Sequence, residues 1–199
     1  MAYTIYQTDV VILGVREMQE HDLLVRVFSG VFGYMRIVAK GTRRATSKLR
    51  ANIQEYGVSR IAVVKGKEMF RLTDASHVFS FVQSRSVVNF LRHAETLFFD
   101  DENDHNTQVN VDIHAMLLRL SKFLVYLAAT TVTADVATTV SSRLARDFFT
   151  VYVRGLQGFL HKTDVTGVID MTDAELVSYL QSQREDIREM MMKEDERTK

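Results

Sequence analysis

The sequence predicts an α+β chain, with an all-β segment over residues 1–80 followed by an all-helical segment over 81–199. Three observations predict it. Six of the nine glycines, Gly14, Gly30, Gly33, Gly41, Gly57 and Gly66, fall before residue 80, where apolar residues come in short runs rich in β-branched and aromatic types. After Phe81 no glycine occurs until Gly155, and the apolar period lengthens to three and four. Charge divides at the same point: residues 1–80 carry 12 Lys or Arg against 7 Asp or Glu, a balance of +5. The other 13 basic and 18 acidic residues of the 25 and 25 leave −5, so the neutral total is a cancellation.

Each element follows from its local pattern. Five strand-like runs cover 3–13, 23–28, 34–39, 56–64 and 69–79, separated by Gly and polar turns, which suggests a small barrel or sandwich. Lys65-Gly66-Lys67 marks a hairpin between the fourth and fifth runs. In the helical part, Val88, Leu91, Glu95 and Phe98 trace one face, and Val111, Ala115, Leu118, Lys122 and Val125 a second. Between them the polar stretch 100–108 reads as a loop. A third helix is expected to open near Thr133 and to run past Phe148, Phe149, Tyr152 and Leu156 toward His161. A last helix starts at Thr172, where Glu175 three residues on makes a capping box. Its apolar face is Leu176, Tyr179, Leu180 and Ile187, and residues 190–199 are expected to fray.

Composition narrows the function classes. With no Cys there is no disulfide, thiolate zinc site or cysteine nucleophile. The longest apolar run, 123–129, is far short of the roughly 20 residues of a membrane span. The first ten residues contain no Lys or Arg, so they make a poor signal peptide, and the expectation is a cytoplasmic protein with no membrane partner. Asp100, Glu102 and Asp104 open like a calcium loop, but position six is His105 rather than Gly, and position twelve is Val111 rather than Glu. Gly30-Val31-Phe32-Gly33 has the spacing of a nucleic-acid clamp that sits between helices, yet it lies between strands and reads as a turn. The histidines His21, His77, His93, His105, His114 and His161 form no HExxH pair, and no phosphate loop or nucleophile elbow occurs. Neither catalysis, a cofactor, a metal nor a small-molecule substrate is indicated.

One segment points to a partner instead. Residues 36–71 hold ten basic side chains against Glu55 and Glu68, a local balance of +8. Arg36, Lys40, Arg43, Arg44, Lys48 and Arg50 are the candidate DNA-binding residues. Their cations reach phosphate oxygens, Thr42, Thr46 and Ser47 can donate hydrogen bonds to them, and Gly41 lets the backbone come close. Five loop charges on single-stranded DNA would give log K a slope of roughly −3.5 against log salt. The plain alternative is a solvated basic loop. Phe28, Phe32, Tyr34 and Tyr56 nearby can stack on bases or fill a core.

The same region resembles the RecO family of bacterial recombination mediators. The resemblance is carried by Thr8-Asp9-Val10-Val11-Ile12-Leu13-Gly14, Arg16-Glu17, Glu20-His21-Asp22-Leu23-Leu24-Val25, Phe28 and Gly33. Most specific is Lys40-Gly41-Thr42-Arg43-Arg44-Ala45-Thr46-Ser47-Lys48-Leu49, which has the family's Lys-Gly-x-Arg-Arg-x-x-Ser-x-Leu pattern. Ile53-Gln54-Glu55-Tyr56 is similar to a Leu-Gln-Pro-Phe stretch with its Pro replaced. The likeness covers residues 4–80, with thinner similarity at 89–97 and 148–160, the latter closing on Gly158-Phe159.

That resemblance implies an OB-fold barrel followed by a helical domain. It also implies binding of single- and double-stranded DNA, annealing of complementary strands, and cooperation with RecR and single-stranded-DNA-binding protein (SSB) in loading RecA. It implies a nucleoid-associated, non-enzymatic DNA repair protein, here without the zinc-binding cysteines of many members. For the acidic C-terminal tail of SSB the family precedent is a helical-domain pocket with a cation, for which Arg119, Lys122, Arg143, Arg146 and Arg154 are the available side chains. The alternative from another class is an OB-fold adaptor working through protein contacts, with incidental nucleic-acid affinity. An RNA-binding module is a third.

Overall fold

A computed structural model describes residues 4–67, 69–98, 107–130, 135–156 and 167–197, less the side chains of 107–109, 130, 135–141 and 194–197. Of the expected loop at 100–108, residues 100–106 lie outside the described residues and residues 107 and 108 are already helical; the opening near Thr133, and Gly158, Phe159 and His161, also lie outside them. The chain divides into two compact units, Met1–His114 and Ala115–Lys199.

In the first unit, β1 (Ile5–Met18), β2 (Asp22–Ser29), β3 (Gly33–Ala39), β4 (Gly57–Lys65) and β5 (Phe70–Ser80) close into a barrel in the order β1-β2-β3-β5-β4. Neighbours are antiparallel except β3 and β5, which meet in parallel at Ile37↔Phe70 and Val38↔Arg71. This is the OB-fold arrangement. Alternation sets the two faces: Val10, Ile12, Val25, Val27, Met35, Ile37, Ala39, Ile61, Val63, Leu72 and Ala75 fill the interior. Following the register once around, Ile5↔Val64, Val64↔Arg71, Arg71↔Val38, Val38↔Leu24 and Leu24↔Arg16, returns to β1 eleven positions later. Such a stagger means steeply tilted strands.

The first strand is longer than its apolar pattern suggested, running past Leu13 to Met18 with a bulge between Ile12 and Gly14. Gly14 is therefore not a break. It pairs with Arg26, whose guanidinium occupies the space a Cβ at Gly14 would need. Arg26 reaches across that gap to Glu95 (Nη1–Oε1 2.9 Å) on α1 (Arg85–Phe98). Burial pushes the Glu95 carboxyl above its ordinary range, and Arg26 opposes that shift. The helix buries Val87, Phe90, Leu91, Ala94, Leu97 and Phe98, with the Phe98 ring tilted against Phe28 on the outer barrel face at a centroid distance of 4.4 Å. The expected stripe was thus right at Leu91 and Phe98, whereas Val88 and Glu95 flank it.

Helix α2 (Thr107–Thr130) overturns its expected face. It buries Ile113, Met116, Leu117, Leu120, Phe123, Leu124 and Leu127, while Val111 and Val125 are 44% and 40% exposed. The segment is apolar on both sides, so spacing alone allowed either stripe, and the side holding the larger Phe, Leu and Met side chains was buried. In the second unit, α3 (Asp135–Leu156) runs past Phe148, Phe149 and Tyr152 as expected, and buries all three. Thr172 caps α4 (Asp173–Ser182) with the anticipated box. The expected single last helix is two: α4 ends at Gln183, and α5 (Arg184–Arg197) carries Ile187. Instead of fraying at 190, α5 continues to Arg197, braced by the pairs Arg188–Glu185 (3.0 Å) and Lys193–Glu189 (2.7 Å). Among the described residues no helix is long and apolar enough to cross a membrane.

Candidate nucleic-acid interface

The basic segment is the connection from β3 to β4, and its shape is fixed from the first residue. Gly41 sits at φ +65°, a left-handed conformation that favours glycine, and its N–H donates to Asp22 Oδ1 at 2.7 Å. Thr42 then turns inward: it is fully buried and its hydroxyl donates to Ala39 O at 2.9 Å. It is therefore not the phosphate donor the sequence suggested.

Arg43 is also not a free cation. Its backbone N–H donates to His21 O (3.0 Å), its guanidinium to Glu20 O (3.1 Å), and Nη2 pairs with Glu17 Oε1 (3.0 Å). The side chain fastens the connection to the β1–β2 turn. Two turns follow, Arg44 N to Gly41 O (3.2 Å) and Ser47 N to Arg44 O (3.0 Å). Leu49 packs down against the barrel core, and Asn52, closing a 3-10 turn at Arg50–Asn52, accepts at its carbonyl from Ser59 Oγ (2.8 Å).

What remains outside is Lys40, Arg44, Lys48 and Arg50, all exposed and, among the described residues, without a carboxylate partner. Arg36 projects from β3 opposite Arg26, also exposed. The connection is thus a braced strap whose anchoring groups point in and whose cations point out. Arg60, part of the same local charge excess, is spent on Asp9 in a two-pronged pair (2.8 and 3.1 Å), which holds the Asp9 carboxyl below its ordinary range. Sequence reasoning missed Asp22 and Glu17. Their signal was present as carboxylates at the two ends of the β1–β2 turn, but only the fold brings them to residues 41 and 43.

Of the four nearby aromatics, Phe28 and Tyr56 are buried, and Phe28 and Tyr34 face Phe98. Phe32 is half-buried in the β2–β3 turn against Tyr6 and Phe70.

In the second unit, Arg119 is committed. It donates to Asp173 Oδ1 (2.7 Å) and Met171 O (2.6 Å), tying α2 to the start of α4. Arg143 and Arg146 of α3 converge on Asp147 at 3.8 and 3.7 Å, and Lys122 is exposed on α2. Arg154, half-buried, lies in the last turn of α3. Among the described residues no group of three His, Asp or Glu is placed to hold a metal ion.

Residues 1–81 match the family model described as the N-terminal domain of recombination protein O. Similar proteins include the DNA repair protein RecO of Heliobacterium modesticaldum, 30% identical over 93 residues, or 47% of this chain and 34% of that one. RecO of Desulforamulus reducens is 31% identical over 81 residues, 41% of this chain and 32% of that one. RecO of Leuconostoc mesenteroides is 38% identical over 48 residues, 24% and 18% of the two. The matched stretch spans about a third of the length of the first two relatives. A solved asparaginyl-tRNA synthetase from Entamoeba histolytica aligns over 66% of this chain and 33% of its own at a TM-score of 0.33 and 9% identity, which is too distant to bear on the argument. The family match falls on the barrel with the Lys-Gly-x-Arg-Arg strap, so the likeness to the RecO family rests on this N-terminal domain.

Proposed function

We propose that this chain is a DNA-binding recombination mediator in DNA repair, acting without catalysis of its own. The observation that carries the reading is the strap of residues 40–50: Lys40, Arg44, Lys48 and Arg50 stand in solvent on a backbone that is already ordered. An ordered strap loses little conformational freedom on binding, so more of its Coulomb attraction appears as affinity. The barrel, residues 1–80, binds single- and double-stranded DNA by placing these cations against phosphates and releasing counterions. Neutralising phosphates of two strands at once lowers their mutual repulsion and favours annealing. Exposed charges farther apart than about 8 Å are largely screened at physiological salt, so the strap acts on strands lying close to it.

In the family setting the protein works with RecR and SSB toward RecA loading, in the cytoplasm at the nucleoid. For the acidic SSB tail, Arg143 and Arg146 on α3 and Lys122 on α2 are the better candidates, because Arg119 already serves α4.

The test uses Arg44→Glu with Lys48→Glu, which spares Arg43 and its bracing contacts. Anisotropy of labelled single-stranded DNA at low salt should show affinity falling by about a hundredfold or more, from two reversed phosphate contacts. Unchanged affinity and annealing would sink the reading.

A further inference from the structure

We infer that the barrel end opposite the strap is a second subsite, one that takes unpaired bases of single-stranded nucleic acid by stacking. The inference rests on the DNA-binding reading above and adds the feature that would tell single strands from duplex. Tyr6 at the start of β1, Phe32 in the β2–β3 turn and Phe70 at the start of β5 converge there. Their ring centroids lie 5.5 Å (Tyr6–Phe32), 6.4 Å (Tyr6–Phe70) and 5.5 Å (Phe32–Phe70) apart. These rings close over the barrel core yet stay partly exposed, and their chain neighbours Ile5 and Val31 are 60% and 49% exposed. Three rings from three separate elements form a contiguous aromatic surface that the barrel itself leaves uncovered in part.

Charge identifies the occupant. Lys65 pairs with Phe70 across the β4–β5 ladder, so its side chain rises on the same face, beside the rings. Lys67 follows in the hairpin, whose turn is held by Gly66 N–H to Met69 O at 3.1 Å, and Arg71 follows Phe70. All three cations are exposed, and among the described residues none has a carboxylate partner. Rings flanked by free cations suit a ligand with flat apolar faces strung on phosphates. In a duplex those faces are already stacked, and only unpaired bases can offer them.

The chain contains no Trp, so Phe32→Trp installs a unique reporter that keeps a stacking face. With the full chain, a 12-residue oligothymidine should quench that emission, and an abasic oligomer with the same phosphates should not. Anisotropy on the wild type should show thymidine preferred over abasic by about tenfold, the lower range of one stacked base. Phe32→Leu, which keeps an apolar side chain, should reduce that preference to near unity while leaving abasic binding and the folded barrel, read by circular dichroism, in place. Lys65→Gln with Lys67→Gln should weaken both oligomers equally.

Equal wild-type affinity for the two oligomers would overturn the subsite and leave DNA binding by the strap intact. Binding of neither would overturn both readings. Quenching of Phe32→Trp by an acidic, Phe-ended peptide but not by oligothymidine would overturn the subsite in favour of a protein partner.

Discussion

The two ends of the barrel are built from the same strands and finished with different chemistry. At the β1–β2 end the interior is plugged by aliphatic Val15 and Leu23, with Leu49 of the strap packed on the same core, and the cations are lifted away from it. At the other end the plug is aromatic, Tyr6, Phe32 and Phe70, and the cations Lys65 and Arg71 adjoin it in register and in sequence. The first end offers charge without apolar surface; the second offers both together. Phosphates are common to every nucleic acid, whereas exposed base faces belong to single strands, so on the proposed reading the ends divide affinity from selectivity.

The comparison breaks most visibly in the salt dependence of binding. Four strap cations on single-stranded DNA contribute a slope of about −2.8 in log K against log salt, from roughly −0.7 per phosphate. Replacing Lys40, Arg44, Lys48 and Arg50 with Gln should flatten a titration from 50 to 300 mM salt by about that amount, with the thymidine-to-abasic preference untouched. A slope that survives the four substitutions would move the phosphate contacts to the other end.

Bracing at the strap end is the next test. Asp22→Ala removes the carboxylate that accepts from Gly41 N–H at 2.7 Å, and hydrogen bonds to charged groups contribute about 1.5–3 kcal/mol. Gly41→Ala, at φ +65°, should cost about 1–2 kcal/mol through backbone strain. Chemical denaturation should read both losses, and DNA affinity at fixed salt should fall with them although no cation was removed. If stability drops and affinity does not, pre-ordering of the strap is irrelevant to binding.

These tests separate what the sequence made legible from what it hid. The barrel was readable because β-rich runs and turn glycines report local structure, and β2, β3, β4 and β5 begin and end within a residue of their expected bounds. Lys40, Arg44, Lys48 and Arg50 were readable for the same reason, since charge in a Gly-led connection between strands stays in solvent. The anchoring of Arg43 was not, because its partners are Glu17 and two carbonyls more than twenty residues earlier. Gly14 read as a break until the register placed Arg26 across from it. The buried side of α2 was hidden differently: local spacing fitted two stripes, and only the partner surfaces choose between them.

The smallest effect expected is a pH dependence belonging to the aromatic end. His114, at the end of the first unit, lies against Gly30 of the β2–β3 turn, one residue before Val31 and two before Phe32, and its buried Nε2 has no hydrogen-bond partner among the described residues. Burial pushes its pKa below the ordinary value of 6.5, and the Asp9 carboxylate opposes that shift. A depressed folded-state value means the unfolded chain binds the extra proton first. The stability that neutral His114 supports is therefore complete above pH 6.5 and is lost as pH falls through the lowered value. Glu95 has the opposite sign: its raised carboxyl favours the fold on acidification, so wild type shows the difference of the two. Asp9, held low by Arg60, loses its contribution only at more acidic pH. His114→Gln should remove the histidine part alone, so its thermal midpoint should fall by about 2 °C less than wild type between pH 7.5 and 5.5. Because the residue supports the turn that carries Phe32, the thymidine preference of wild type should weaken over the same interval while strap-borne abasic binding strengthens or holds. Parallel loss of both would mean that His114 acts on the whole barrel, and the two ends would not be independent.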